Sequence, residues 1–71
     1  PAQVLVYGEP GYEIQGQKLA GSLSNEGVLC ETSVWETEEE TLAYARQAGI
    51  AKVICVGETQ REIDLTERGN L

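Results

Sequence analysis

Lys52-Val53-Ile54-Cys55-Val56-Gly57 is the stretch on which the reading of this chain turns. Four apolar residues in a row between a lysine and a glycine fit a strand covered on both faces, the signature of a central position in a parallel sheet. Immediately upstream lies the best-signalled helix. Thr37 with Glu40 three residues on is a capping box, and Glu38, Glu39 and Glu40 complement the positive end of the helix dipole. Leu42, Ala45 and Ala48 are its expected inner face. Arg46 sits in its last turn, Gly49 supplies a left-handed stop, and Ile50 can fold back over the helix end. Downstream, Arg61-Glu62-Ile63-Asp64-Leu65-Thr66 alternates polar and apolar, and the short link Glu58-Thr59-Gln60 permits only an antiparallel return. Glu67-Arg68-Gly69-Asn70 carries turn chemistry.

Working back toward the start, Gln3-Val4-Leu5-Val6-Tyr7 is a short apolar run closed by Gly8-Glu9-Pro10-Gly11, a buried strand ending in a turn. Tyr12, Gly16, Leu19, Ala20 and Leu23 recur at helical spacing before a stop at Gly27, so a helix is expected from Tyr12 to Glu26. Gly16 and Gly21 weaken that helix unless tight packing on a sheet compensates, and both glycines suggest such packing. Val28-Leu29-Cys30-Glu31-Thr32-Ser33-Val34 is less apolar and carries a charge, which suits an edge strand. The order β-α-β-α-β-β predicts an α/β fold: a three-layer α/β/α sandwich around a mixed sheet of order 2-1-3-4, with the helices on opposite faces. No repeat, linker or low-complexity tract divides residues 1–71, which read as a single domain.

Composition bounds the function. The 71 residues hold 12 Asp or Glu against 5 Lys or Arg and no His, a formal charge of −7. A chain this short buries only about 60% of its unfolded surface, which argues against a deep catalytic cleft. Without histidine the commonest general base and metal ligand are both missing. The 41% hydrophobic content is that of a folded domain. No apolar run reaches the ~20 residues of a membrane span, and no basic leader precedes the first strand. The chain lacks Met and opens at a strand, which suggests a segment of a longer protein, the rival being a mature chain that lost its initiator. Cys30 and Cys55 fall on strands expected two places apart in the sheet, about 10 Å, beyond disulfide reach. They read as reduced thiols of a cytoplasmic protein.

Ligands of such sheets gather beyond the carboxyl ends of the parallel strands. Three loops meet there, and they nominate Glu9, Tyr12, Trp35, Glu36 and Glu58 as the candidate binding surface. The glycine-rich first loop invites a phosphate cradle, but neither the dinucleotide nor the Walker spacing is present and Glu9 and Glu13 would repel the anion. Glu36, Glu38, Glu39 and Glu40 suit docking to a basic surface better than metal binding, since consecutive helical carboxylates diverge. Tyr12 and Trp35 could stack on bases, yet Lys18, Arg46, Lys52, Arg61 and Arg68 are scattered and outnumbered, which disfavours nucleic acid. Catalytic, metal and cofactor residues are not indicated.

The run Glu40-Thr41-Leu42-Ala43-Tyr44-Ala45-Arg46-Gln47-Ala48-Gly49-Ile50-Ala51-Lys52-Val53-Ile54-Cys55-Val56-Gly57-Glu58 resembles the helix-then-strand segment of the anticodon-binding domain of class II aminoacyl-tRNA synthetases, histidyl-tRNA synthetase in particular. Ile63-Asp64-Leu65-Thr66-Glu67-Arg68-Gly69 looks like that family's hairpin return. About a third of the chain carries the specific likeness, and the rest matches in pattern. The resemblance implies a mixed sheet with helices. Acidic residues at 36–40, where synthetases typically carry basic and polar ones, point away from tRNA. They point toward the synthetase-like regulatory subunit of ATP phosphoribosyltransferase, of histidine biosynthesis. The resemblance then implies a non-catalytic accessory domain for protein–protein assembly. Its partner would be the catalytic phosphoribosyltransferase subunit, reached through the parent protein, with homo-oligomerisation left open. The alternatives are a true anticodon-binding domain of a histidyl-tRNA synthetase and a flavodoxin- or receiver-like module.

Overall fold

A computed structural model describes residues 2–66. The elements are β1 (Val4–Gly8), α1 (Glu13–Asn25), β2 (Cys30–Thr32), α2 (Glu38–Ala48), β3 (Lys52–Val56) and β4 (Gln60–Asp64). They form a small α/β domain with one four-stranded mixed sheet of order β2-β1-β3-β4 and two helices. β1 runs parallel to β2 and β3, with Val4 opposite Cys30 on one side and Lys52 on the other. β4 returns antiparallel, pairing Val56 with Gln60 and Lys52 with Asp64. The expected strand order and hairpin are therefore both present.

Strand alternation divides the apolar residues into two clusters. Leu5, Tyr7, Val53 and Cys55 pack with Ala45 of α2 and with Ile50, while Leu42, Ile63 and Leu65 border them. Val4, Val6, Ile54 and Val56 pack with Ala20 of α1, bordered by Leu19 and Leu23. β1 and β3 are buried along nearly their whole length, as a run of Val, Ile and Leu requires.

Each helix closes in the same way. Gly27 and Gly49 adopt positive φ of 90° and 76°. The next residue then bonds back across the turn, Val28 N–H to Leu23 C=O at 3.0 Å and Ile50 N–H to Ala45 C=O at 2.9 Å. This is the Schellman arrangement, and it satisfies carbonyls the helix would leave open. The helix starts differ. Thr37 Oγ1 accepts from Glu40 N–H at 3.1 Å and donates to the Glu40 carboxylate at 3.2 Å. Tyr12, at the corresponding position of α1, makes no side-chain cap bond.

Several sequence expectations need correction. The second strand is three residues, Cys30–Thr32, where Val28–Val34 was expected. Val28 N–H is consumed in closing α1, and beyond Thr32 the Ser33 hydroxyl accepts from Trp35 N–H, turning the chain out of the sheet. Ala48 is exposed, and the inner face of α2 is Thr41 and Ala45, which are fully buried, with Leu42 beside them. Gly16 does lie in tight contact, but Gly21 faces open space. The fourth strand starts at Gln60 and ends at Asp64, whose carboxylate takes the Thr66 N–H and hydroxyl at 2.9 and 2.6 Å. The turn expected at residues 67–70 lies outside the described residues.

Candidate functional site

At the carboxyl ends of β1, β2 and β3 the connections of residues 9–12, 33–37 and 57–59 come together, as the topology dictates. Tyr7, buried at the end of β1, reaches across to donate its hydroxyl to the Glu36 carbonyl at 3.0 Å. Burial, reinforced by Glu9, raises the Tyr7 phenol above its ordinary value, so it stays a donor at neutral pH. Thr41, although fully buried, is saturated: its hydroxyl donates to Thr37 C=O at 2.9 Å and shares a hydrogen bond of 2.8 Å with Ser33 Oγ. These bonds pin residues 33–37 to the sheet and to α2 from below. What they hold up is an apolar pair, Val34 at 84% and Trp35 at 43% exposed. The Trp35 ring leans on Tyr44 of α2, centroids 6.0 Å apart and tilted by 45°.

Charge on this rim is organised by Arg61. Its guanidinium forks onto Glu38 at 2.6 and 3.3 Å and reaches Glu9 at 3.4 Å, joining β4 to the start of α2 and to the loop after β1. The bond from Arg61 holds the Glu38 carboxyl below its ordinary value against the opposing effect of burial, and Arg61 keeps its proton more firmly in turn. The Cys55 thiol is pushed up, chiefly by burial, and so is that of Cys30. Both cysteines are free thiols, and neither shift favours the reactive thiolate.

The nominated residues separate into three groups. Trp35 and Glu36 line a groove of about 430 Å³ whose other walls are Tyr7, Gly8, Pro10, Glu13, Ser33 and Val34. Glu9 stands apart in the Arg61 cluster, its carboxylate packed over Gly57. Tyr12 is half-buried at the foot of α1, and Glu58 is exposed in the β3–β4 link; neither lines the groove. Pro10 and Val34 belong to loops expected to meet here but are not among the nominated residues, and Glu13 enters the sequence reading only as a charge that would repel phosphate; all three are groove walls. The signal available for Val34 was its place at the expected end of the second strand, immediately before an aromatic.

Chemically the groove offers carboxylates, carbonyls and apolar surface. Among the described residues no three His, Cys, Asp or Glu side chains are grouped to hold a metal ion. The backbone N–H of Gly11, the natural start of an anion cradle, already donates to the Glu13 carboxylate at 3.1 and 3.2 Å. No described helix is long and apolar enough to cross a membrane. Comparison with known proteins finds neither a family model nor a curated sequence that matches this chain.

Proposed function

We propose that this chain is a three-layer α/β/α domain of the anticodon-binding type that has become a non-catalytic assembly module, the accessory domain of a synthetase-like regulatory subunit of ATP phosphoribosyltransferase. Two apolar clusters on alternate residues of the central strands, one with α1 and one with α2, support the layering. The parallel strands with an antiparallel return agree with the mixed sheet that the resemblance implies.

The observation that carries the functional reading is the charge at the strand ends. A surface that reads RNA must neutralise phosphates with free Lys or Arg. Here Glu9, Glu13, Glu36, Glu38 and Glu58 occupy the loops and helix starts, and Arg61, the base among them in the described residues, is bound by two of those carboxylates. Phosphate contact would require breaking that cluster. A protein surface rich in Lys or Arg needs no such rearrangement.

The test is a pair of titrations by calorimetry or by Trp35 fluorescence, against the catalytic phosphoribosyltransferase subunit and against a histidine-specific tRNA transcript, each at low and moderate salt. Binding of the subunit and none of the transcript is expected. Saturable, salt-sensitive and transcript-selective binding would overturn the reading and make the domain an anticodon reader.

A further inference from the structure

Val34, the most exposed large apolar side chain among the described residues, stands next to the exposed Trp35, and the pair borders acid on two sides. On one side is the groove of about 430 Å³, with Glu13 and Glu36 among its walls. On the other, Trp35 shares a second hollow of about 240 Å³ with Glu40, Ala43, Tyr44 and Gln47. Among the described residues, neither hollow has a Lys or Arg in its lining. The tryptophan thus stands as a ridge between two acid-edged depressions. Its ring is braced by Tyr44 and its backbone by the Ser33 hydroxyl, which receives the Trp35 N–H at 3.0 Å.

We propose that this ridge and groove form a docking site for a basic segment of a partner protein, one that sets an apolar side chain between Val34 and Pro10 and flanks it with Arg or Lys. Charge complementarity selects that occupant: the net charge is −7, and the carboxylates of Glu13, Glu36 and Glu40 edge the apolar surface. An arginine laid on the exposed face of Trp35 gains the attraction of its ring in addition. The apolar contact supplies affinity, and the carboxylates supply orientation and rate of encounter. A second copy of this chain would bring acid onto acid, and RNA would bring phosphate onto it. The inference rests on the assembly reading for its partner's being a protein, and it adds where that partner sits and what chemistry it carries.

The probe is the peptide acetyl-Lys-Arg-Leu-Leu-Arg-Lys-amide, titrated into the isotope-labelled domain and followed by NMR, with its counterpart carrying Glu at every basic position. The expected result is saturable shifts at Val34, Trp35, Glu36 and Glu13 for the basic peptide and none for the acidic one. Trp35→Ala should weaken binding about ten-fold or more. Glu36→Gln should weaken it by about two- to five-fold, with the difference shrinking at high salt. Both side chains are exposed, so the variants should keep the wild-type spectrum elsewhere. Shifts that scatter over the surface, equal response to both peptides, or an oligonucleotide competing at the groove would overturn the proposal. Binding of the catalytic subunit undisturbed by Trp35→Ala would sink this site and leave the assembly reading intact. A peptide response at the groove without any binding of that subunit would do the reverse.

Discussion

The two helices of this domain end alike and begin differently, and the difference separates what local sequence specifies from what tertiary contact must supply. Gly27 and Gly49 close α1 and α2 with the same pair of backbone bonds. At its start α2 is specified by its own residues, with Thr37 and Glu40 exchanging bonds and three glutamates in the first turn. The start of α1 has no side-chain cap at Tyr12, and its local device is weaker, the Glu13 carboxylate accepting the Gly11 N–H. It is placed by contact with the end of β1, where Gly16 comes so close that an added Cβ would lie 3.2 Å from the Gly8 Cα. One helix start is written in four consecutive residues; the other depends on two glycines eight positions apart.

The most damaging way to probe this contrast is at Gly8. A Cβ there would meet the Tyr12 carbonyl oxygen at 2.7 Å and the Glu13 Cα at 3.0 Å, both backbone atoms with no rotamer to yield. Gly8→Ala should cost about 3 kcal/mol, the upper end for overpacking. It should also shift Glu13 and with it the groove wall. Denaturant unfolding followed by circular dichroism measures the first effect. An unchanged midpoint would mean that α1 can be re-seated freely and that the close approach is incidental. Thr37→Ala tests the other start. Losing the cap should cost about 1 kcal/mol, with the loss confined to α2 in amide exchange. Exchange that rises equally in α1 would show the two helices to be one cooperative unit.

These contrasts also explain how far the sequence could be read. Local devices were legible: the cap at Thr37, the stops at Gly27 and Gly49, the buried run Val53–Val56 and the turn-back into β4. What failed were features settled by distant residues. Ala48 resembles a core position by composition, but the inner face of α2 rotates toward Thr41, because that hydroxyl finds Ser33 and Thr37 as partners. The second strand looked seven residues long, yet beyond its flanks Leu29 and Ser33, which still bond to the β1 segment, the Val28 N–H turns back to α1 and the Trp35 N–H to the Ser33 hydroxyl. Of the nominated site residues, Glu9 was chosen for an exposed loop. Its partner Arg61 lies 52 positions away, a pairing no local pattern announces.

Gly21 sharpens the comparison in the stabilising direction. It lies inside α1, with nothing within 4 Å of where a Cβ would stand, so its only effect is the conformational freedom it leaves the unfolded chain. Gly21→Ala should therefore add about 0.5–1 kcal/mol. The equivalent change at Gly49, held at a φ of 76°, should destabilise. A loss of stability in Gly21→Ala would mean that this face of α1 is covered in solution, for example by a second copy of the chain.

The smallest expected effect concerns the charges that tie the start of α2 to β4. The Arg61 hydrogen bond holds the folded-state pKa of Glu38 below its ordinary 4.5, and burial only partly offsets this. Near that value the unfolded chain binds more protons at this site than the folded one, so the contribution to stability rises with pH. It is complete above the ordinary value and is lost as pH falls through the lowered one. The pair is partly solvent-exposed, with side-chain accessibilities of 45% for Arg61 and 35% for Glu38, so the effect should be modest and weakened by salt. Glu38→Gln should flatten the acid limb of the stability profile. Glu39→Gln supplies the control, because it removes a charge from the same helical turn and leaves the Arg61 fork in place. If both variants flatten the limb equally, the dipole of α2 and not the bridge to β4 sets the acid sensitivity, and the start of α2 is local in its electrostatics as well as in its hydrogen bonds.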